Sequence, residues 1–292
     1  MSKSRFKIWL TALRLKTIPA SVIPVAIASS YAYKLGEFDQ VKFTLILFCA
    51  IMIQIITNFF NEIYDFKKGA DTNERLGPDR GVSRGDIQLS TMWTVTIISL
   101  IITLAAGLYL VYLTDLNILF IGLVSLVLTW AYTGGPYPLA YKGLGDIFVF
   151  VFFGIIATCG SYYAYTQSIN DVIIFSSFIP GFLSMNILSA NNIRDINTDI
   201  KVGKITMAVR MGDRLSRYVY ILILLLAFVT QFYIFLMLNN TFLLLPFITI
   251  VLAIPLIKEV MYAHGKEMNK VLALSGVMLM LFGTLQTIAF IL

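Results

Sequence analysis

Two acidic clusters sit where strongly apolar segments run into polar loops. The first is Asn58-Phe59-Phe60-Asn61-Glu62-Ile63-Tyr64-Asp65, followed by Asp71. The second is Asn191-Asn192-Ile193-Arg194-Asp195-Ile196-Asn197-Thr198-Asp199. The spacing i, i+3, i+7 puts Asn58, Asn61 and Asp65 on one helical face, and i, i+4, i+8 does the same for Asn191, Asp195 and Asp199. Carboxylates near a bilayer are costly, and aligned ones repel each other unless a cation lies between them. Hard oxygen donors that do not complete a cage suit magnesium shared with a substrate phosphate. Asn61, Asp65, Asp71, Asp195 and Asp199 are the expected ligands, and Asp65, Asp195 and Asp199 the carboxylates on which catalysis is expected to depend.

Membrane helices must position these clusters. Of 292 residues, 58% are hydrophobic and 13% charged, which excludes an ordinary soluble domain. A span needs about 20 mostly apolar residues. Nine such stretches can be placed, at 17–36, 43–64, 90–112, 116–134, 145–166, 172–191, 217–238, 241–258 and 270–291. The expected fold is all-α: about nine transmembrane helices around a central cavity. One domain, 1–292, is expected, because no linker or low-complexity tract divides the chain. The acidic clusters end the second and sixth spans, and helices four apart in a ring would bring them face to face. Gly107, Gly154 and Gly160 are expected to permit close helix packing.

Charge sets the orientation. Twenty of the 22 Lys and Arg residues fall on one side of this topology, leaving only Lys34 and Lys42 on the other. That side is cytoplasmic by the positive-inside rule. The amino terminus and both acidic loops are therefore expected in the cytoplasm, and the chain in the cell's inner membrane. The net charge of +6 is a topology signal, and no nucleic-acid partner is expected. Cys49 and Cys159 lie inside spans, so no disulfide framework is indicated. Phe6, Trp9, Leu10 and Leu13 share one face of a basic amino-terminal segment, expected to lie along the membrane surface.

A prenyl diphosphate suits such a surface, with its headgroup in the polar loops and its tail in lipid. Magnesium at the acidic clusters would stabilise charge on the leaving diphosphate. Lys142, Lys204, Arg80 and Arg84 are candidates to neutralise its remaining oxygens, Arg with a two-pronged fork. Tyr132, Tyr137 and Tyr141 can offer ring faces to the allylic carbocation, worth on the order of 2 kcal/mol when dry. Excluding water protects that cation until an electron-rich acceptor attacks.

The words Asn61-Glu62-Ile63-Tyr64-Asp65 with Asp71, and Asp195 with Asp199, resemble the two aspartate-rich motifs of the UbiA-type intramembrane prenyltransferases. Arg14-Leu15-Lys16-Thr17-Ile18-Pro19, Gly77-Pro78-Asp79-Arg80, Tyr132-Thr133-Gly134-Gly135-Pro136 and Asn191-Asn192-Ile193-Arg194-Asp195 resemble the 1,4-dihydroxy-2-naphthoate polyprenyltransferase branch. The resemblance implies transfer of a prenyl group from a polyprenyl diphosphate to 1,4-dihydroxy-2-naphthoate, with loss of the carboxylate, to give demethylmenaquinone. It also implies that the motif carboxylates bind magnesium and diphosphate, and it puts Lys142, Lys204 and Asn191 among the substrate-binding residues. Glu62 departs from the usual Asp, which favours Asn61 and Asp65 as ligands.

Two other readings compete. The first keeps the reaction class but changes the acceptor to another aromatic or lipid molecule. An ion-coupled transporter would use intramembrane acids for its coupling ion. Continuous spans, with acids at their ends, count against it. Individually, acids at span ends are commonly solvated, and tyrosines there commonly anchor in the aromatic belt.

Overall fold

The computed structural model describes residues 5–69, 76–77 and 80–292. Among these, regular structure is entirely helical. Asp71 lies outside the described residues.

The chain opens with α1 (Arg5–Leu13) and a 3-10 turn at Leu15–Thr17. Pro19 then starts α2 (Pro19–Lys34), where its fixed φ and missing N–H are tolerated. The two halves meet at 47°. Their elbow is Arg14, a non-glycine residue at φ 50°. Trp9 and Leu13 pack on the cluster formed by Phe59, Ile63 and Met92, while Phe6 stays exposed. The apolar face expected to lie on the membrane is thus partly spent against α3 (Gln40–Lys67) and α4 (Leu89–Leu113).

α3 runs for 28 residues from an Asp39 cap, whose carboxylate accepts from the Lys42 N–H at 2.8 Å. Asp115 likewise caps α5 (Leu116–Ala131). α6 (Gly145–Val149) passes through a π-helical stretch, Phe150–Ile156, into α7 (Ala157–Thr166). α8 (Asp171–Arg194) is the central helix, packed against α10 (Met207–Leu238), α12 (Met268–Ile291) and the π stretch. Between α8 and α10 lies the short α9 (Ile196–Lys201). A 3-10 segment, Thr241–Thr249, leads into α11 (Ile250–Tyr262). The core around α8 is filled by large side chains such as Tyr220, Phe282, Phe290, Ile173 and Leu183.

Each of the nine expected spans coincides with a helical segment. By length and apolar composition, seven helices among the described residues can cross a membrane, or eight if the bent α1–α2 pair is one span. α5, at 16 residues, is apolar but shorter than a bilayer requires. The span count comes close to the expected nine without confirming that exact number. Exposed Ile97, Ile98, Ile101 and Ile102 on α4 form the apolar exterior expected against lipid.

Glycines close one crossing. A Cβ on Gly154 would stand 2.7 Å from the Ser177 carbonyl oxygen and 2.8 Å from Gly181 Cα. Only hydrogen fits there, so the π stretch and α8 meet backbone to backbone. Gly107 has nothing within 4 Å of such a Cβ, and Gly160 meets only Ile121 at 3.5 Å. Those two glycines border open space instead of a tight crossing.

Candidate active site

A cavity of about 220 Å³ opens where the ends of α3 and α8 approach the loops. Asn58, Asn61 and Asp65 all line it, as the helical spacing predicts for one uninterrupted helix. Arg80, Tyr132, Tyr141, Asn191 and Lys204 reach it from other segments.

Asp65 is held from two sides. Its Oδ2 takes an ion pair from Arg80 Nη2 at 2.6 Å, and its Oδ1 accepts from the Tyr141 hydroxyl at 2.6 Å. Tyr141 is positioned by the turn before it. Gly134 leaves room for the Tyr64 ring, since a Cβ there would come within 2.6 Å of Tyr64 Cε2. Gly135 takes φ 72°, where a side chain is strained. The Ala140 N–H then donates to the Tyr132 carbonyl at 2.9 Å, and Ile205 N–H donates to the Tyr141 carbonyl at 3.1 Å. That last bond joins the Tyr141 loop to the segment carrying Asp199 and Lys204.

Lys204 Nζ lies 3.3 Å from Asp199 Oδ1 and 5.9 Å from the Tyr141 ring centroid. Burial pushes the Asp199 carboxyl up to about 6, against the pull of Lys204, with Asp195 and Asp65 pushing it further in the same direction. The two acidic clusters therefore feel each other's charge. Lys68 Nζ sits 4.0 Å over the Tyr141 ring and donates to the Thr133 carbonyl at 2.7 Å. Its burial lowers its pKa, and Asp65 opposes that shift.

Other expected site residues stand elsewhere. α8 stops at Arg194, and Asp195 has φ −99° and ψ 7°, so the face expected from Asn191 through Asp195 to Asp199 is broken. Arg194 grips both Asp195 oxygens, at 2.8 and 2.6 Å, and also donates to Asn191 Oδ1 at 2.7 Å. Lys142 is exposed, with its Nζ 5.6 Å from the ring of an equally exposed Tyr137. Arg84 pairs with Asp86 at 3.4 Å. The structure brings none of Lys142, Tyr137 and Arg84 to the cavity wall. Glu62 is buried and accepts the Val82 N–H at 2.9 Å, which ties the Arg80–Ile87 turn to α3.

Several wall residues escaped the sequence reading as site candidates. Arg14 lines the cavity because the left-handed elbow turns the chain there. Gln54 and Asn58 both donate to Thr17 Oγ1, at 2.8 and 3.1 Å, fixing that elbow to α3. Asp146, in the first turn of α6, is buried on the same wall. Tyr132, Phe148 and Phe152 form an aromatic row with centroid spacings of 5.2 and 5.0 Å. Phe152 and Phe153 also border a second cavity of about 160 Å³, apolar and flanked by Gly107, Gly122 and Gly160.

Among the described residues no three His, Cys, Asp or Glu side chains gather as a metal cluster. The donors still fit a magnesium ion that takes part of its shell from phosphate and water, which needs only one or two carboxylates. Asn61 Oδ1 and Asp199 Oδ2 are both buried oxygens with no hydrogen-bond partner, and both are hard donors.

Comparison with known proteins agrees with this architecture. Residues 21–285 match the UbiA prenyltransferase family. A 1,4-dihydroxy-2-naphthoate octaprenyltransferase of Haemophilus influenzae is 34% identical over 235 residues, covering 78% of this chain and 76% of that one. Its counterpart in Escherichia coli is 36% identical over 216 residues, covering 72% and 70%. The solved structure of a UbiA homologue from Archaeoglobus fulgidus, bound to DMAPP and Mg2+, superposes with a TM-score of 0.68 over 97% of this chain and 99% of that one, at 16% identity. The transporter reading finds no support in these matches. With apolar helices long enough to span a bilayer and a match over most of its length, the chain belongs to the UbiA prenyltransferase family and is an integral membrane enzyme.

Proposed function

We propose that the protein transfers the prenyl group of a polyprenyl diphosphate to 1,4-dihydroxy-2-naphthoate in menaquinone biosynthesis. The products are demethylmenaquinone, diphosphate and carbon dioxide. The observation carrying this reading is one cavity that joins Asn61, Asp65, Arg80 and Lys204 at its polar wall to an aromatic row leading toward an apolar chamber. The naphthoate relatives supply the acceptor.

The diphosphate sits against Arg80, Lys204 and Arg14. Arg80 and Tyr141 hold the Asp65 carboxylate in a fixed orientation before substrate arrives. Asn61, Asp65 and Asp199 would hold magnesium, with Asp71 and Asp195 as the further candidates from the sequence. When bound, magnesium stabilises the negative charge that builds on the departing diphosphate. The carbon–oxygen bond breaks with its electron pair leaving on diphosphate. The allylic cation then faces the rings of Tyr132 and Phe148, whose attraction for a cation is about 2 kcal/mol in a dry site. The prenyl tail lies in the apolar chamber beyond Phe152 and Phe153. An electron-rich ring carbon of the acceptor closes the new carbon–carbon bond.

Charge asymmetry supports a cytoplasmic amino terminus and cytoplasmic active-site loops, in the inner membrane of the cell. The unbroken helical core supports a single domain, 1–292. Purified protein in lipid, given magnesium, a polyprenyl diphosphate and several aromatic acceptors, tests the proposal by product analysis. Prenylated naphthoquinol with carbon dioxide is expected. Exclusive prenylation of another acceptor would transfer the protein to a different branch of the family.

A further inference from the structure

We propose that Asp146 is the base that takes the hydroxyl proton of the aromatic acceptor; the inference rests on the prenyl-transfer reading above. Among the described residues, two carboxylates line the reaction cavity, Asp65 and Asp146. Both oxygens of Asp65 are already engaged, by Arg80 and Tyr141. Asp146 Oδ2 is buried and accepts no hydrogen bond, although the residue is only 4% exposed. An ionised carboxylate has acceptor sites only, and leaving one buried and unmatched costs free energy that an incoming donor recovers. A phenolic hydroxyl is such a donor.

The surroundings suit a ring. Gly145 lies beside the Tyr132 hydroxyl, 3.5 Å from where its Cβ would be. Tyr132 and Phe148, two residues beyond Asp146, are adjacent in the aromatic row. Asp146 belongs to neither acidic motif and sits on a different helix from both. No ion pair among the described residues uses it, and Lys204 is the cation whose charge it feels. The bland alternative is a helix-terminal carboxylate placed near the positive end of the α6 dipole. That role does not explain a partnerless oxygen on the wall of a reaction cavity.

The step balances without any oxidant or reductant. The acceptor O–H bond breaks and its proton passes to Asp146 Oδ2, leaving a phenoxide that pushes electron density into the ring. The prenyl carbon–oxygen bond breaks with its pair on diphosphate, and the ring carbon bonds to the prenyl carbon, leaving a ring ketone. With a carboxylate on that carbon, the carbon–carboxylate bond breaks, carbon dioxide departs and its pair restores the aromatic ring as phenoxide. Asp146 then returns the proton.

The test uses the full-length protein in lipid with magnesium, comparing wild type, Asp146→Asn and Asp146→Glu. A hydroxylated acceptor that wild type prenylates is chosen first, so a wrong choice of naphthoate is detected separately from a wrong base. Asp146→Asn should lower kcat about a hundredfold or more, with prenyl diphosphate affinity within twofold of wild type. Asp146→Glu should recover part of the rate. The deficit should shrink for fluorinated acceptors with more acidic hydroxyls. The proposal is overturned if Asp146→Asn stays within threefold of wild type, if prenyl diphosphate binding is lost with it, or if the deficit is independent of hydroxyl acidity. Efficient prenylation by wild type of an acceptor whose hydroxyl is methylated would overturn it as well.

Discussion

The Tyr141 hydroxyl donates to Asp65 across 2.6 Å, on the carboxylate oxygen opposite the one that Arg80 holds. This bond ties the end of α3 to the loop that follows α5, so the first acidic cluster is oriented by a segment more than seventy residues away. Removing the carboxylate and removing its tether should therefore differ in scale. Asp65→Asn should cut turnover at least a hundredfold. Tyr141→Phe removes one hydrogen bond to a charged group, worth about 1.5–3 kcal/mol, and should cost roughly tenfold to a hundredfold. Steady-state rates of prenylated product at saturating magnesium measure both.

The cations divide by position. Lys204 lies on the cavity wall beside Asp199, whereas Lys142 is exposed beside Tyr137. Lys204→Ala should weaken prenyl diphosphate binding about tenfold or more. Lys142→Ala should leave it within twofold. Equilibrium binding of a non-hydrolysable prenyl diphosphate analogue separates them, and equal losses would show that the loop carrying Lys142 closes over the substrate.

Metal affinity should depend on pH in a defined direction. The Asp199 carboxyl is pushed up to about 6 by burial, with Lys204 pulling the other way. Below that pH a proton must be displaced before the oxygen can serve as a ligand. Apparent magnesium affinity should be flat above about pH 7 and fall roughly tenfold per unit below about pH 6. Magnesium titrations of substrate binding between pH 5 and 8 check this, and Asp199→Asn should abolish the slope.

Packing makes a further forecast. A side chain at Gly154 would press on the Ser177 carbonyl and on Gly181. Gly154→Leu should destabilise the fold by about 3 kcal/mol, seen as a lower melting temperature in detergent. Gly160→Ala should be nearly silent in the same assay.

Chain length should respond to the apolar chamber. Gly107 and Gly122 both border it, and neither Cβ would meet another atom within 4 Å. Gly107→Phe should fill the chamber, leaving short prenyl diphosphates as substrates while long ones lose activity. Competition between a C10 and a C40 diphosphate would reveal the change in preference.

How far residue patterns carry the site differs between its two halves. Asn58, Asn61 and Asp65 share a wall because α3 continues past them to Lys67, so simple helical spacing holds. The same arithmetic fails at Asp195, where α8 ends and the Arg194 fork draws the carboxylate to itself. Apolar length located the long helices, but it does not by itself confirm a count of nine spans, because α5 is short and α2 begins at a bend. Arg14 could not be placed by periodicity, since its position depends on a left-handed elbow. Asp146 has no partner at helical spacing, and only tertiary placement brings it to Tyr132 and Lys204. Nor does the π stretch carry a pattern distinguishable from an ordinary apolar helix.

That stretch, Phe150–Ile156, lies between Asp146 at one end of the span and Gly160 at the other. Its widened turns fix the angular offset between the face that lines the polar cavity and the face that borders the apolar chamber. One residue of an α-helix corresponds to about 100° of rotation. Shortening the segment by a single residue would leave its composition almost unchanged, yet turn one compartment's wall away from the other's. In this span, the number of residues between two distant side chains matters more than the identity of those in between.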